Sequence, residues 1–155
     1  MNKLNYKRIT KIIILSIAVI ISGSFIYGDS NKKEDSRVFF GKEFYSALGT
    51  VVFFQRDSYL DSILKKQVSA KAVLQIIDRK EKKKYRAVFA DEDSIKYGFK
   101  IFYYLYFSES DFMSLMKEGE LYFFKGKILG WTPLDSQRKE FIFDINLEEI
   151  SREKK

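Results

Sequence analysis

The sequence predicts a mainly β fold: a small closed barrel with one short helix between its third and fourth strands. Another short helix and an N-terminal apolar helix precede it. Three observations predict this. Phenylalanine and tyrosine number 15 and 10 while proline occurs once, at Pro133, a balance that suits strands. From Val68 onward, stretches that alternate apolar and polar side chains recur between turn-forming residues. Among those stretches a single segment carries a helical stripe.

The chain opens with a basic tip, Lys3, Lys7, Arg8 and Lys11, followed by Ile12 to Tyr27 without a charge. This is the layout of an export signal. At about 1.5 Å per residue the run makes roughly 24 Å of helix, short of a hydrocarbon core of about 30 Å. Two readings follow. Residues 1–28 are a signal peptide, with small residues at Ser22, Gly23, Ser24 and Gly28 for a peptidase, although Ile26 is large for a cut after Gly28. Or they are an uncleaved anchor, lengthened by Ile9 and Thr10, that touches the membrane through residues 12–27 and keeps the basic tip inside. Both export the rest across the cytoplasmic membrane, to the periplasm or cell envelope. No cysteine stands near the apolar run to carry a lipid.

Residues 29–36 (DSNKKEDS) hold no apolar side chain and read as a linker; 37–150 form one domain with its core at 68–150, and 151–155 a charged tail. The chain's net charge is +7, but four of its 28 basic residues and none of its 21 acids lie in the tip, so the remainder carries only +3. No partner of extreme charge is demanded. Histidine and cysteine are absent, which removes histidine triads, thiol nucleophiles and thiolate metal sites. No motif marks a catalytic carboxylate pair, a cofactor or a metal. The expectation is a protein that is not an enzyme.

Within the domain, Val38-Phe39-Phe40 reads as a short strand or as part of a helix through Phe44, Tyr45 and Leu48. Val51 to Phe54 reads as a strand. Ser58 to Lys66 predicts a helix, with Ser58 and Asp61 spaced as a capping box and Leu60, Ile63 and Leu64 on one face. Val68 to Ile77 alternates, with Val68, Ala70, Ala72, Leu74 and Ile76 on one side. Asp78 to Lys84 breaks it, and Tyr85 to Ala90 resumes, which predicts a hairpin with a long basic loop. Asp91 to Gly98 is polar, with a turn near Gly98. Phe99 to Phe107 is apolar on both faces and predicts a central or covered strand. Ser108 to Lys117 predicts the second helix, striped by Phe112, Leu115 and Met116 and stopped at Gly119. Glu120 to Leu129 is a strand bent at Gly126, Gly130 to Lys139 a loop, and Glu140 to Asn146 the last strand before a frayed tail.

The order from Val68, three strands, a helix and two strands, is that of an OB-fold, a five-stranded Greek-key barrel. Over Val68 to Ile150 the sequence resembles the small OB-fold proteins of bacterial envelopes called the tRNA_anti-like group. The shared features are a helix ending in Lys117-Glu118-Gly119, then Phe124-Lys125-Gly126-Lys127-Ile128, then a loop and a final apolar strand. The first strand lacks the glycine expected near Ala70 or Ala72. Arg37 to Gln55 falls outside the resemblance and would add a sixth strand or cover an open edge.

Four candidate sites stand beside plainer readings. Arg79, Lys80, Lys82, Lys83, Lys84 and Arg86 form a basic patch in the loop between the first two barrel strands, either a phosphate-binding lip or a solvated turn. Trp131 and Arg138 lie in the loop between the last two strands, where the indole stacks on a ligand or folds back over the barrel end. Phe102, Tyr104 and Tyr106, with Tyr122 and Phe124, form a stacking platform, or else core plus an outer face covered by Arg37 to Gln55. Asp91, Glu92 and Asp93 make a polar turn rather than a calcium loop, since the glycine and terminal glutamate of an EF-hand are missing. The expected partner is a protein or an anionic envelope component, not nucleic acid. The alternative is an oligonucleotide or polyanion gripped by residues 79–86 and Trp131.

Overall fold

The computed structural model describes residues 37–153 apart from 82–83 and 109–110; at 79–81 and 111 only the backbone course is described. The apolar segment 12–27 and the linker 29–36 lie outside the described residues. Among those described, no helix is long and apolar enough to cross a membrane.

Period-two alternation produces five long strands: β2 (Gln67–Glu81), β3 (Lys84–Asp91), β4 (Lys100–Phe107), β5 (Leu121–Pro133) and β6 (Glu140–Arg152). β2, β3 and β4 form an antiparallel meander, β4 pairs in parallel with β6, β6 antiparallel with β5, and β5 closes back on β2. Closure with this order, and a helix α4 (Asp111–Leu115) between β4 and β5, is the OB-fold. A sixth strand, β1 (Val38–Phe40), runs parallel to the first residues of β2, beside Val68 to Ala70. It takes the stretch of that edge which β3 does not reach.

The core is largely aromatic. Phe89, Tyr103, Tyr122, Phe124, Phe141 and Phe143 fill the barrel, with Ala70, Ala72 and Ala87 admitting them. Each large ring removed from water contributes about 2–3 kcal/mol. One end is closed by Phe112 and Met116, with Phe112 edge-on to Phe107 at 5.8 Å. The other is plugged by the segment before the barrel. There α1 (Lys42–Thr50) buries Phe44, Tyr45 and Leu48, and Phe40 packs 4.7 Å from Phe143 and 5.4 Å from Tyr103. The Arg37 to Gln55 segment thus adds the sixth strand and a plug.

Several expectations are corrected. Val51 to Phe54 is no strand: the chain reverses there through a 3-10 turn (Phe53–Gln55) that leaves Phe53 60% and Phe54 69% exposed. The next helix, α2, is Arg56–Asp61, so Ser58 lies inside it and makes no capping box; the N-cap is Gln55 without a side-chain bond. Ile76 faces solvent at 47% exposure because a bulge between Leu74 and Ile76 shifts the alternation by one residue, and Ile77 turns inward. β2 runs through the charged stretch to Glu81, pairing Asp78 with Arg86, Arg79 with Tyr85 and Glu81 with Lys84, where a long loop was expected. Leu115 is exposed rather than part of the buried stripe. The supposed tail from Glu148 to Arg152 is strand. Across the β5–β6 ladder Lys125 pairs with Glu149 at 2.6 Å and Arg152 with Glu120, so opposite charges hold it in the sheet.

Gly126 is the bend expected from the sequence. The β5–β6 register shifts there, and a Cβ would strike the Asn146 carbonyl oxygen and come within 2.7 Å of Ile145 Cγ2. Gly98 and Gly119 both adopt positive φ, at 78° and 79°, ending the turns before β4 and β5.

Candidate binding face

The side chains of β3, β4 and β6 that point away from the core form one surface in three rows. Arg86 stands beside Tyr106 and Asn146; Val88 beside Tyr104 and Asp144; Ala90 beside Phe102 and Ile142. Alternation in β4 puts its three aromatic side chains here, and all three are half-buried. The segment 37–55 does not cover them, contrary to one expectation, because its buried aromatics, Phe40, Phe44 and Tyr45, turn into the barrel end. Tyr122 and Phe124, the other members of the supposed platform, are core.

The charges on this face are matched. Arg86 lies with its guanidinium carbon 4.6 Å from the Tyr104 ring centroid and donates to Asp78 Oδ2 at 2.5 Å. That hydrogen bond raises the Arg86 pKa further above its ordinary value. The Tyr106 hydroxyl donates to Asp144 Oδ1 at 3.0 Å, and burial, followed by the bond to Asp144, raises the phenol pKa. Lys100 sits 5.5 Å over the Phe102 ring and 3.5 Å from Glu140. The result is a flat aromatic strip whose described cations have acids beside them. It can stack on planar or apolar groups and exchange hydrogen bonds at its edges.

The sequence-predicted site residues are dispersed. Arg86 belongs to this face and not to a loop. Arg79 and Lys80 lie on β2 and Lys84 opens β3, at the end of the face nearest Tyr106. Lys82 and Lys83 lie outside the described residues.

Trp131, which lies on β5 and not in the expected loop, and Arg138 latch α2. The Trp131 indole N–H donates to Asp61 Oδ1 at 2.9 Å and its ring packs on Phe141 at 6.1 Å. Arg138 donates two bonds to Asp57, at 2.8 and 3.1 Å, and these hold the Asp57 carboxyl below its ordinary range. Arg56 completes the latch, donating to the carbonyls of Gln137 and Arg138 at 3.2 and 3.0 Å and lying over Phe99. The latch acids lie 70 and 81 residues from their partners, so no local pattern exposes them.

Asp91 is no polar turn residue. It is 2% exposed and caps a short helix, α3 (Glu92–Ile95), by accepting from the Ser94 N–H at 3.0 Å. Its Oδ2 also accepts from the Tyr103 hydroxyl at 2.5 Å and from the Tyr45 hydroxyl. Burial raises its pKa, against the lowering by these bonds. Among the described residues no cluster of three or more acids could hold a metal ion.

Among solved structures the chain is similar to an asparaginyl-tRNA synthetase from Entamoeba histolytica, at TM-score 0.41 and 11% identity over 57% of this chain and 20% of that one. It is similar to a protein described as an aspartyl-tRNA synthetase from Leishmania major Friedlin, at 0.42 and 12% over 88% and 26%. It is also similar to a protein described as a nucleic acid-binding lipoprotein from Klebsiella pneumoniae, at 0.42 and 16% over 77% and 93%. The chain spans about a quarter or less of the synthetases it matches. No family model matches the chain, and no curated protein does. The fold rests on the strand order and pairing themselves. Barrels of this kind serve as binding modules.

Proposed function

We propose that the chain is an exported or membrane-tethered envelope protein without catalytic activity, an OB-type module of the tRNA_anti-like kind that binds a protein segment or envelope component on the outer face of β3, β4 and β6. The single observation that carries this reading is the uncovered aromatic row of Phe102, Tyr104 and Tyr106, lying among matched charges. Strands two and three are where OB barrels carry ligands. An oligonucleotide would need cations free to neutralise phosphates. On this face Arg86 is held by Asp78 and Lys100 stands beside Glu140, which favours a partner of low charge. Residues 1–28 deliver the module, as a cleaved signal or a retained anchor.

One observation favours the oligonucleotide reading: Arg79 and Lys80 on β2 and Lys84 on β3 fall at the β2–β3 end of the same face, and the sequence adds Lys82 and Lys83 between the two strands.

The test is in-cell photo-crosslinking from a reactive phenylalanine analogue at position 104, with position 127 on exposed β5 as control. The reading expects one discrete protein or glycan adduct from 104, lost when Phe102 and Tyr106 become alanine. Equal labelling from both positions, or nucleic acid as the adduct, contradicts it.

A further inference from the structure

Away from that face, where β1 and the start of α1 approach α3, β2 and β5, a cavity of about 360 Å³ opens. It shares no residue with the outer face of β3, β4 and β6. Its volume falls at the lower end of the range of small-ligand sites, about 300–1,000 Å³. Phe39 and Phe123 line it and stay 58% and 41% exposed, with Tyr97 beside them and the buried Tyr45 and Phe40 below. Two large aromatics left open around one concavity mark a binding surface better than scattered exposed residues do.

The polar part of the lining is cationic: Lys42, Lys71 and Lys96 against the single acid Asp93. Lys96 is paired with Asp93 at 2.6 Å. Lys71 is held between Glu153, at 2.7 Å, and the Phe123 ring, at 5.4 Å, so its ammonium is fixed over the aromatic wall. Lys42 makes no ion pair among the described residues. Gly41 shapes the mouth, because the Phe39 ring lies so close to its backbone that a Cβ there would sit 2.5 Å from Phe39 Cε1 and 2.8 Å from Cδ1. Any larger residue would displace the ring.

We propose that this cavity is a second binding site and takes an amphipathic anion, an alkyl or aryl body carrying one carboxylate or phosphate head. The body lies between Phe39, Phe123 and Tyr97, and the head meets Lys42, the lining lysine without an ion pair among the described residues. This site owes nothing to the face on β4, so either can fail without the other.

The probe is octyl phosphate, compared with octanol and octylammonium, all below their micelle concentrations. The protein is used as the cell exports it, with whatever part of residues 1–28 it retains. Octyl phosphate raises the melting temperature; octanol and octylammonium raise it much less. Lys42→Gln weakens the octyl phosphate affinity about tenfold, the size expected for one charge-assisted contact. Gly41→Ala abolishes the gain by moving the Phe39 ring, while Lys127→Gln, at an exposed lysine outside the cavity, preserves it. Vesicles of phosphatidylglycerol that compete with octyl phosphate identify a lipid headgroup as the natural source, and vesicles that do not identify a free amphiphile; both support the site. Equal gains from octyl phosphate and octanol overturn the proposal, as does a gain untouched by Lys42→Gln and Gly41→Ala. Binding seen only after Glu34→Ala and Asp35→Ala would make the chain's own linker the occupant, and overturns it too.

Discussion

At the scale of single residues, Asp91 is the side chain on which most depends. Two buried tyrosine hydroxyls and a helix amide use one carboxylate. Asp91→Ala strands those donors and costs about 2–4 kcal/mol in urea unfolding. Because burial raises the Asp91 pKa, the folded state binds its proton more tightly than the unfolded chain, whose carboxyl titrates near 4. Stability therefore falls as pH rises from about 4 toward the raised value and is flat beyond it. Asp91→Asn removes that fall; unfolding free energies with the same pH slope in both proteins would show the carboxylate is not desolvated. Gly126→Ala forces a methyl onto the Asn146 carbonyl and costs about 1–3 kcal/mol, read by the same unfolding curves.

At the scale of elements, the strands were legible where one face is buried and the other wet, because alternation then has only one register that keeps Val68, Ala70, Ala72 and Leu74 inside. They were illegible where charged side chains interrupt the alternation. The charged end of β2 and the last residues of β6 are strand because their partners hold them, Asp78 with Arg86 and Lys125 with Glu149. Val51 to Phe54 has strand-forming side chains but sits where the chain must reverse between α1 and α2, and tertiary position outweighed propensity. For Trp131 the sequence left two readings open, and its packing on Phe141 and bond to Asp61 match the one that folds the indole back over the barrel end, with Arg138 beside it on Asp57. A tryptophan or arginine among turn-forming residues reads alike whether it awaits a ligand or another part of the chain. As latch residues they predict a specific outcome. Arg138→Ala speeds hydrogen exchange in residues 56–66 and leaves exchange on β4 unchanged, whereas uniform acceleration would mean that Arg138 holds more than α2. In the outer face, Tyr104 and Tyr106 were visible from β4 alone. Asp144 and Asp78 were not, since only the pairing of β6 and β2 with their neighbours brings them there.

At the scale of the whole molecule, the barrel is finished by sequence that precedes it. Phe40, Phe44 and Tyr45 supply the end of the core that the five strands leave open, so a boundary drawn at Val68 would expose Tyr103 and Phe143. Phe40→Ala should cost about 3–5 kcal/mol in urea unfolding, as for a central barrel ring; a cost below about 1 kcal/mol would make the plug an appendage. Closure at both ends leaves the outside of the barrel for binding. Charge then separates the candidate partners, because a nucleic acid and a protein segment differ most in the cations they demand. The direct measurement is titration of the protein with single-stranded DNA at low and at moderate salt. The matched charges of the β3, β4 and β6 face predict no binding that survives moderate salt and no change when Tyr104 becomes alanine. Tight binding that persists at moderate salt, is lost in the variant with Lys82, Lys83 and Lys84 changed to alanine, and is weakened by Tyr104→Ala would contradict it.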